Sequence, residues 1–295
     1  MFGQYFGNYL VEKNKISQIE FEDVMLQQQI SRLKLGFIAV AEKLLTSKQA
    51  EEINEIQKKL DRRFGDIAVE KGYLLTEEVT HLLNMQGSSY LKFVQTLTEN
   101  NILNIEEIET SLEDFRRDNG FSDTDLDALK TGDIDNIIPV FIDTDIPLGS
   151  ECISLFIRNI VRFINNGIRL KKMYTVKEYA FSNLAYQQMV GDHQILCGFT
   201  GSKNALLQIA NPFAKEEFND MDEDAFDSVC EFINCTNGLY ASKLSQEEIH
   251  IDMTPPLYHT DKSLISTGDI YVVPVILNGE QADLLVAVNN QIEIK

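Results

Sequence analysis

The chain has no tryptophan and only four cysteines among 295 residues. Cys152, Cys197, Cys230 and Cys235 form no CxxC pair, so they read as reduced thiols rather than a disulfide framework. No apolar run approaches the roughly 20 residues a membrane-spanning helix needs. The start, Met1-Phe2-Gly3-Gln4-Tyr5, lacks the charged head and apolar core of a secretory signal. A cytoplasmic protein without membrane insertion is expected. The four histidines (His81, His193, His250, His259) show no metal-ligand spacing, so no metal site and no cofactor of the chain's own are expected. Positive charge is also scarce: 26 Lys and Arg face 46 Asp and Glu, a net charge of −20. Such a chain repels a phosphate backbone, which excludes general nucleic-acid binding.

The length suits two domains. Cations are concentrated in the first half, where residues 1–118 hold 14 of the 26, including Lys58, Lys59, Arg62 and Arg63. A solvated helix face accounts for that cluster on composition alone.

The first 115 residues repeat themselves every 29. Phe6-Gly7, Leu35-Gly36 and Phe64-Gly65 are in register, and a fourth copy begins at Phe93-Val94 without the glycine. Ile16, Leu45, Leu74 and Leu103 keep the same spacing, and the copies close on Gln28, Gln57, Gln86 and Phe115. Each copy reads as two short helices. Capping boxes are expected at Ser17 with Glu20, Thr46 with Gln49, and Asn104 with Glu107. One such pair has too little apolar face to fold alone, so neighbouring copies are expected to share a core.

The copies resemble the MshEN domain found at the N-terminus of type II secretion and pilus ATPases. Arg63-Phe64-Gly65, Ala68-Val69, Gly72, Tyr73-Leu74, Val79, Leu83 and Gln86 follow that motif closely. Lys34-Leu35-Gly36, Ala39-Val40, Leu44-Leu45 and Gln57 follow it more loosely, and five residues separate the two copies, as in the family. Paired motifs of this family can bind cyclic di-GMP. The resemblance therefore implies Lys34, Gly36, Gln57, Arg63, Gly65 and Gln86 as ligand residues. Lys34 stands where the motif has Arg and cannot give its bidentate contact, and Lys43 replaces a motif glycine. A helical protein-interaction module is the other reading of residues 1–118.

Residues 119–136 read as a linker with one short helix near Asp125–Leu129. Ile137–Ile142 reads as a strand opening a second domain over 137–295. Further expected elements are a helix over Ser150–Asn165, strands over Gln194–Thr200 and Asn204–Ala210, and a helix over Asp224–Lys243. Three closing strands follow over Glu248–Met253, Asp269–Leu277 and Ala282–Val288, with a turn at Asn278-Gly279. The fold class is α+β: an N-terminal all-α repeat domain, then helices packed on a mainly antiparallel sheet.

On the helix over Asp224–Lys243, Asp227, Glu231 and Asn234 fall at i, i+4 and i+7 and share one face. A Glu-x-x-Asn pair arises by chance roughly once per chain of this length, but adding Asp before and Gly238 after lowers that to on the order of one chain in a hundred. The stretch resembles the signature of the CheC, CheX and FliY phosphatases: Asp or Ser, three residues, Glu, two residues, Asn, and a later Pro. Pro256 follows Asn234 with 21 residues between, one fewer than the family spacing. The other candidate helix keeps Asn159 but has Phe156 where Glu belongs, so it reads as structural. One site per chain is CheX-like and compatible with a homodimer.

The resemblance implies a protein phosphatase acting on the aspartyl phosphate of a CheY-like response-regulator receiver. Asn234 would orient the attacking water and Glu231 would dock the partner's lysine, with Mg²⁺ carried by the phosphorylated partner. Two other readings stay open: a non-catalytic receiver-binding scaffold, and a cyclic di-GMP sensor whose second half only transmits the signal.

Overall fold

The computed structural model describes residues 1–60 and 62–295 and divides into two compact units, Phe2–Asp133 and Ile134–Lys295. Among the described residues no helix is long and apolar enough to cross a membrane.

The first unit is all helical. The four repeats supply α1 (Phe2–Glu12) and α2 (Gln18–Ile30), α3 (Leu35–Ala41) and α4 (Ser47–Leu60), α5 (Phe64–Glu70) and α6 (Thr76–Asn84), α7 (Ser89–Glu99) and α8 (Ile105–Asp118). Every copy turns its corner through a left-handed residue in register: Asn14, Lys43, Gly72 and Asn101, at φ 54°, 58°, 70° and 54°. Ser17 and Asn104 cap as expected, each accepting from the backbone three residues on while that Glu accepts from the cap N–H. Thr46 and Gln49 make the same reciprocal pair. In the third copy Leu75 offers no side-chain acceptor, and only its N–H to Glu78 remains, at 2.7 Å.

The copies pack in a nested order. Copies 2 and 3 share one core, in which Leu33, Ile38, Ile53, Phe64, Ile67 and Leu82 are buried. Copies 1 and 4 share another, where Phe2 and Phe6 meet Phe93 and Phe6 and Tyr9 meet Phe115. The chain passes between the two pairs at residues 31–34 and again near 88. Gln95, 2% exposed, clamps the first passage by accepting from the Lys34 N–H at 2.8 Å and donating to the Arg32 carbonyl. Part of the expected linker is helical: α9 (Asp123–Thr131), capped by Ser122, buries Leu126 and Leu129 within this same unit and ends at left-handed Gly132.

The second unit begins with a correction. Ile137–Ile142 is not a strand but lies within and just after α10 (Ile134–Phe141). The β-branched run suggested a strand, yet Ile137, Ile138 and Phe141 are buried at helical spacing. Asn204–Ala210 likewise belongs to a helix, α12 (Lys203–Ala214), started by Ser202 accepting from the Ala205 N–H at 3.1 Å. The remaining helices are α11 (Gly149–Asn159), continued by a π-helical turn over Ile160–Ile164, and α13 (Glu223–Gln246).

The sheet is antiparallel throughout. Its strands are β1 (Arg169–Leu170), β2 (Tyr174–Gly191), β3 (Ile195–Gly201), β4 (Ile251–Met253), β5 (Leu257–Leu277), β6 (Glu280–Val288) and β7 (Ile292–Ile294), in the order β1-β5-β6-β3-β2-β4. The long strands β2 and β5 also pair with each other, so β2, β3, β6 and β5 close on themselves, and β7 adds to β5. Alternation assigns the faces. Leu184, Tyr186, Leu196, Val272 and Leu285 fill the inside of this closed sheet. The intervening Cys197 and Phe199 face the helices, meeting Cys152 and Phe156 of α11. Asn278 and Gly279, at φ 49° and 88°, make the β5–β6 turn as expected.

Candidate functional site

The site lies on α13, whose start is fixed by Asp222 accepting from the Ala225 N–H at 3.0 Å. Phe226, Val229, Phe232, Ile233, Tyr240 and Leu244 bury one side of the helix. The opposite side carries Asp227, Glu231 and Cys235, all exposed, while Asn234 is half-buried at the boundary between them. The helix therefore brings Glu231 and Asn234 together: the Asn234 Nδ2 donates to Glu231 Oε2 at 3.3 Å. Asp227 stands one turn earlier on the exposed side.

Beneath the pair lies a buried polar layer. Gln187 of β2, 1% exposed, donates through Nε2 to Asn234 Oδ1 and to the Thr254 carbonyl, both at 2.8 Å. Its Oε1 accepts from Asn237 Nδ2 at 2.9 Å. Thr254 is tied back to β2 by its N–H and its hydroxyl, each 3.0 Å from the Gln188 carbonyl. Neither Gln187 nor Thr254 was found from the sequence. Asn237, three residues after Asn234, was legible only as a second polar position on a half-apolar helix.

The remaining signature residues are placed as follows. Pro256 is half-buried between β4 and β5, in the loop that also holds Thr254. A Cβ at Gly238 would meet only Met253, at an ordinary 3.6 Å, so packing does not demand glycine there. Phe156 is fully buried, and Asn159 is buried with its Nδ2 donating to Thr236 Oγ1 at 3.1 Å. That helix serves the core.

Two thiols flank the site. Cys235 Sγ donates to Glu231 Oε1 at 3.4 Å, and partial burial, then Glu231, hold its pKa above the ordinary range. Burial, helped by the charge of Asp227, pushes Cys230 up to about 12. Around the polar pair Leu239, Met253, Leu257 and Tyr258 are exposed, with the Tyr258 ring stacked on Phe226 at 4.3 Å. A polar pair with an apolar border suits contact with another protein.

In the helical unit two of the implied ligand side chains have partners within the protein. Lys34 Nζ pairs with Glu99 at 2.8 Å, and Gln86 donates to the Leu33 carbonyl at 3.3 Å. The space a Cβ would take at Gly36 is closed by the Phe64 ring at 2.9 Å, and at Gly65 by Val79 at 2.6 Å. These two glycines allow close helix packing. Arg63 is exposed at the start of α5, and Gln57 is half-buried on α4.

No curated protein matches the chain. Among solved structures, a chemotaxis-protein candidate from Desulfovibrio vulgaris Hildenborough is 14% identical, with a TM-score of 0.43 over 50% of this chain and 99% of its own. The chemotaxis protein CheX from Vibrio vulnificus is 17% identical, with a TM-score of 0.42 over 48% and 99%. A CheX from Borrelia burgdorferi, solved in a complex with CheY, BeF3 and Mg²⁺, is 16% identical, with a TM-score of 0.37 over 47% and 95%. Residues 184–276 of this chain, the stretch that holds Gln187, Glu231, Asn234 and Pro256, match the family model described as chemotaxis phosphatase CheX.

Proposed function

We propose that the second unit hydrolyses the aspartyl phosphate of a CheY-like receiver domain. The observation that carries this reading is the carboxylate–carboxamide pair of Glu231 and Asn234 on the open side of α13, within the span that matches the phosphatase family. The reaction forms a bond from a water oxygen to phosphorus and breaks the bond to the receiver's aspartyl oxygen, releasing inorganic phosphate and a carboxylate. The receiver supplies Mg²⁺ and a lysine at the phosphoryl group, so the leaving carboxylate needs no further activation from this chain. An ordered water in line with the scissile bond is what remains to be provided, and positioning of that kind accounts for much of the catalysis of phosphoryl transfer.

A carboxamide suits the task because it accepts and donates without carrying charge. With Asn234 Oδ1 receiving one hydrogen bond from Gln187, its second lone pair can accept from the water. Glu231, anionic beside a dianionic phosphoryl group, is a poor base there and a good partner for the receiver's lysine. The exposed Leu257, Met253 and Tyr258 supply an apolar contact around it.

Release of phosphate from a phosphorylated receiver tests the reading. Asn234→Ala should slow it by roughly tenfold or more with an unchanged circular dichroism spectrum. Equal rates with and without this protein would leave it a receiver-binding scaffold.

A further inference from the structure

Asn234 can serve as described only if its amide is held one way round, and its own helix does not decide which. The deciding group is a backbone carbonyl. A carbonyl accepts and never donates, so the Thr254 oxygen 2.8 Å from Gln187 fixes which end of that side chain is the NH₂. Gln187 Nε2 then has one hydrogen left, directed at Asn234, so the Asn234 atom it meets must be the oxygen. The Asn234 NH₂ is thereby turned outward to Glu231. At the other end Gln187 Oε1 receives Asn237 Nδ2, which resists rotation of the whole side chain. The carbonyl itself sits in Thr254-Pro255-Pro256, where each residue preceding a proline is confined to extended backbone. Two bonds from Thr254 to the Gln188 carbonyl hold that stretch on β2.

We propose that Gln187 is a positioning residue for the phosphatase site, carrying the orientation of the Thr254 carbonyl to the Asn234 amide. The proposal rests on the function assigned to Asn234 and gives Pro255 a role: it confines Thr254, whose carbonyl sets the amide, to extended backbone.

Two measurements on the full chain test it. In kinetics on a phosphorylated receiver, Gln187→Met should lower kcat by roughly tenfold while KM stays within about twofold, because Glu231 and the docking face are untouched. In an Asn234→Ala background the same change should have no further effect, since Gln187 acts through Asn234. An unaltered kcat, or an equal further loss in the double variant, would overturn the proposal, as a packing role gives additive effects. The second measurement needs neither catalysis nor a Gln187 variant. In the ¹H–¹⁵N spectrum, the Gln187 NH₂ pair should be strongly protected from exchange in the parent. In Asn234→Ala one of its hydrogens should lose that protection, with a shift of the pair. An unmoved pair overturns the clamp whatever the phosphatase assay shows. A moved pair with no phosphatase activity in the parent keeps the clamp and removes the function proposed above.

Discussion

At the scale of single residues, Glu231 has two neighbours that respond to it in different ways. Asn234 donates to its carboxylate, and the Cys235 thiol, kept protonated first by partial burial, is held further so by it. Alkylation proceeds through the thiolate, so Cys235 should label slowly at pH 8 and faster as pH rises. Glu231→Gln should speed labelling by roughly two- to fivefold, because removing the charge lowers the thiol pKa toward its ordinary value. Cys230, held near 12, should stay unlabelled in the folded protein, and mass spectrometry of the modified chain reads both. Against a phosphorylated receiver, Glu231→Ala should weaken binding on the order of thirtyfold or more if it meets a desolvated lysine, which calorimetry checks. Normal affinity would remove its docking role. Glu231 and Asn234 were legible because both lie on one helix at fixed spacing. Gln187 was not, since its partners are 47 residues and more away and a glutamine in an apolar strand announces nothing. The Thr254 carbonyl is backbone, so no residue type could have signalled it.

Among the elements, the repeat was the easiest to read and one corner of it is strained. Lys43 holds φ 58° where the third copy has Gly72 at 70°. A side chain in that conformation costs about 1–2 kcal/mol, partly offset by the extra freedom glycine has when unfolded. Lys43→Gly should therefore stabilise the protein by about 1 kcal/mol, seen as a rise in the denaturation midpoint. The short helices were harder. The runs at Ile137–Ile142 and Asn204–Ala210 are apolar on too many sides for periodicity to decide, and tertiary burial settled both as helix. Strand β2 was missed and β5 was read only from Asp269 onward, for the opposite reason. Tyr174–Ala180 and Leu257–Ser263 are exposed or half-buried throughout, so no buried face marks those segments in the sequence.

For the whole molecule, the division at Asp133–Ile134 predicts that fragments 1–133 and 134–295 each fold when expressed alone. Each should give one cooperative thermal transition by circular dichroism; aggregation of both would refute the division. A cut at 118 should serve the first fragment less well, because it removes α9 and exposes the surface that covers Leu126 and Leu129. The nested order of the four repeats also sets a sequence of events in time. Copies 2 and 3 are neighbours along the chain and can meet at once, whereas copy 1 must find copy 4 across everything between them. Closing that long loop costs less once its middle has condensed and drawn residues 31–34 and 88–95 together. Assembly of this unit should thus run from its centre outward, with the Phe6–Phe93 contact among the last to form. An emerging chain would hold its first helix pair unpartnered until the fourth copy has been made.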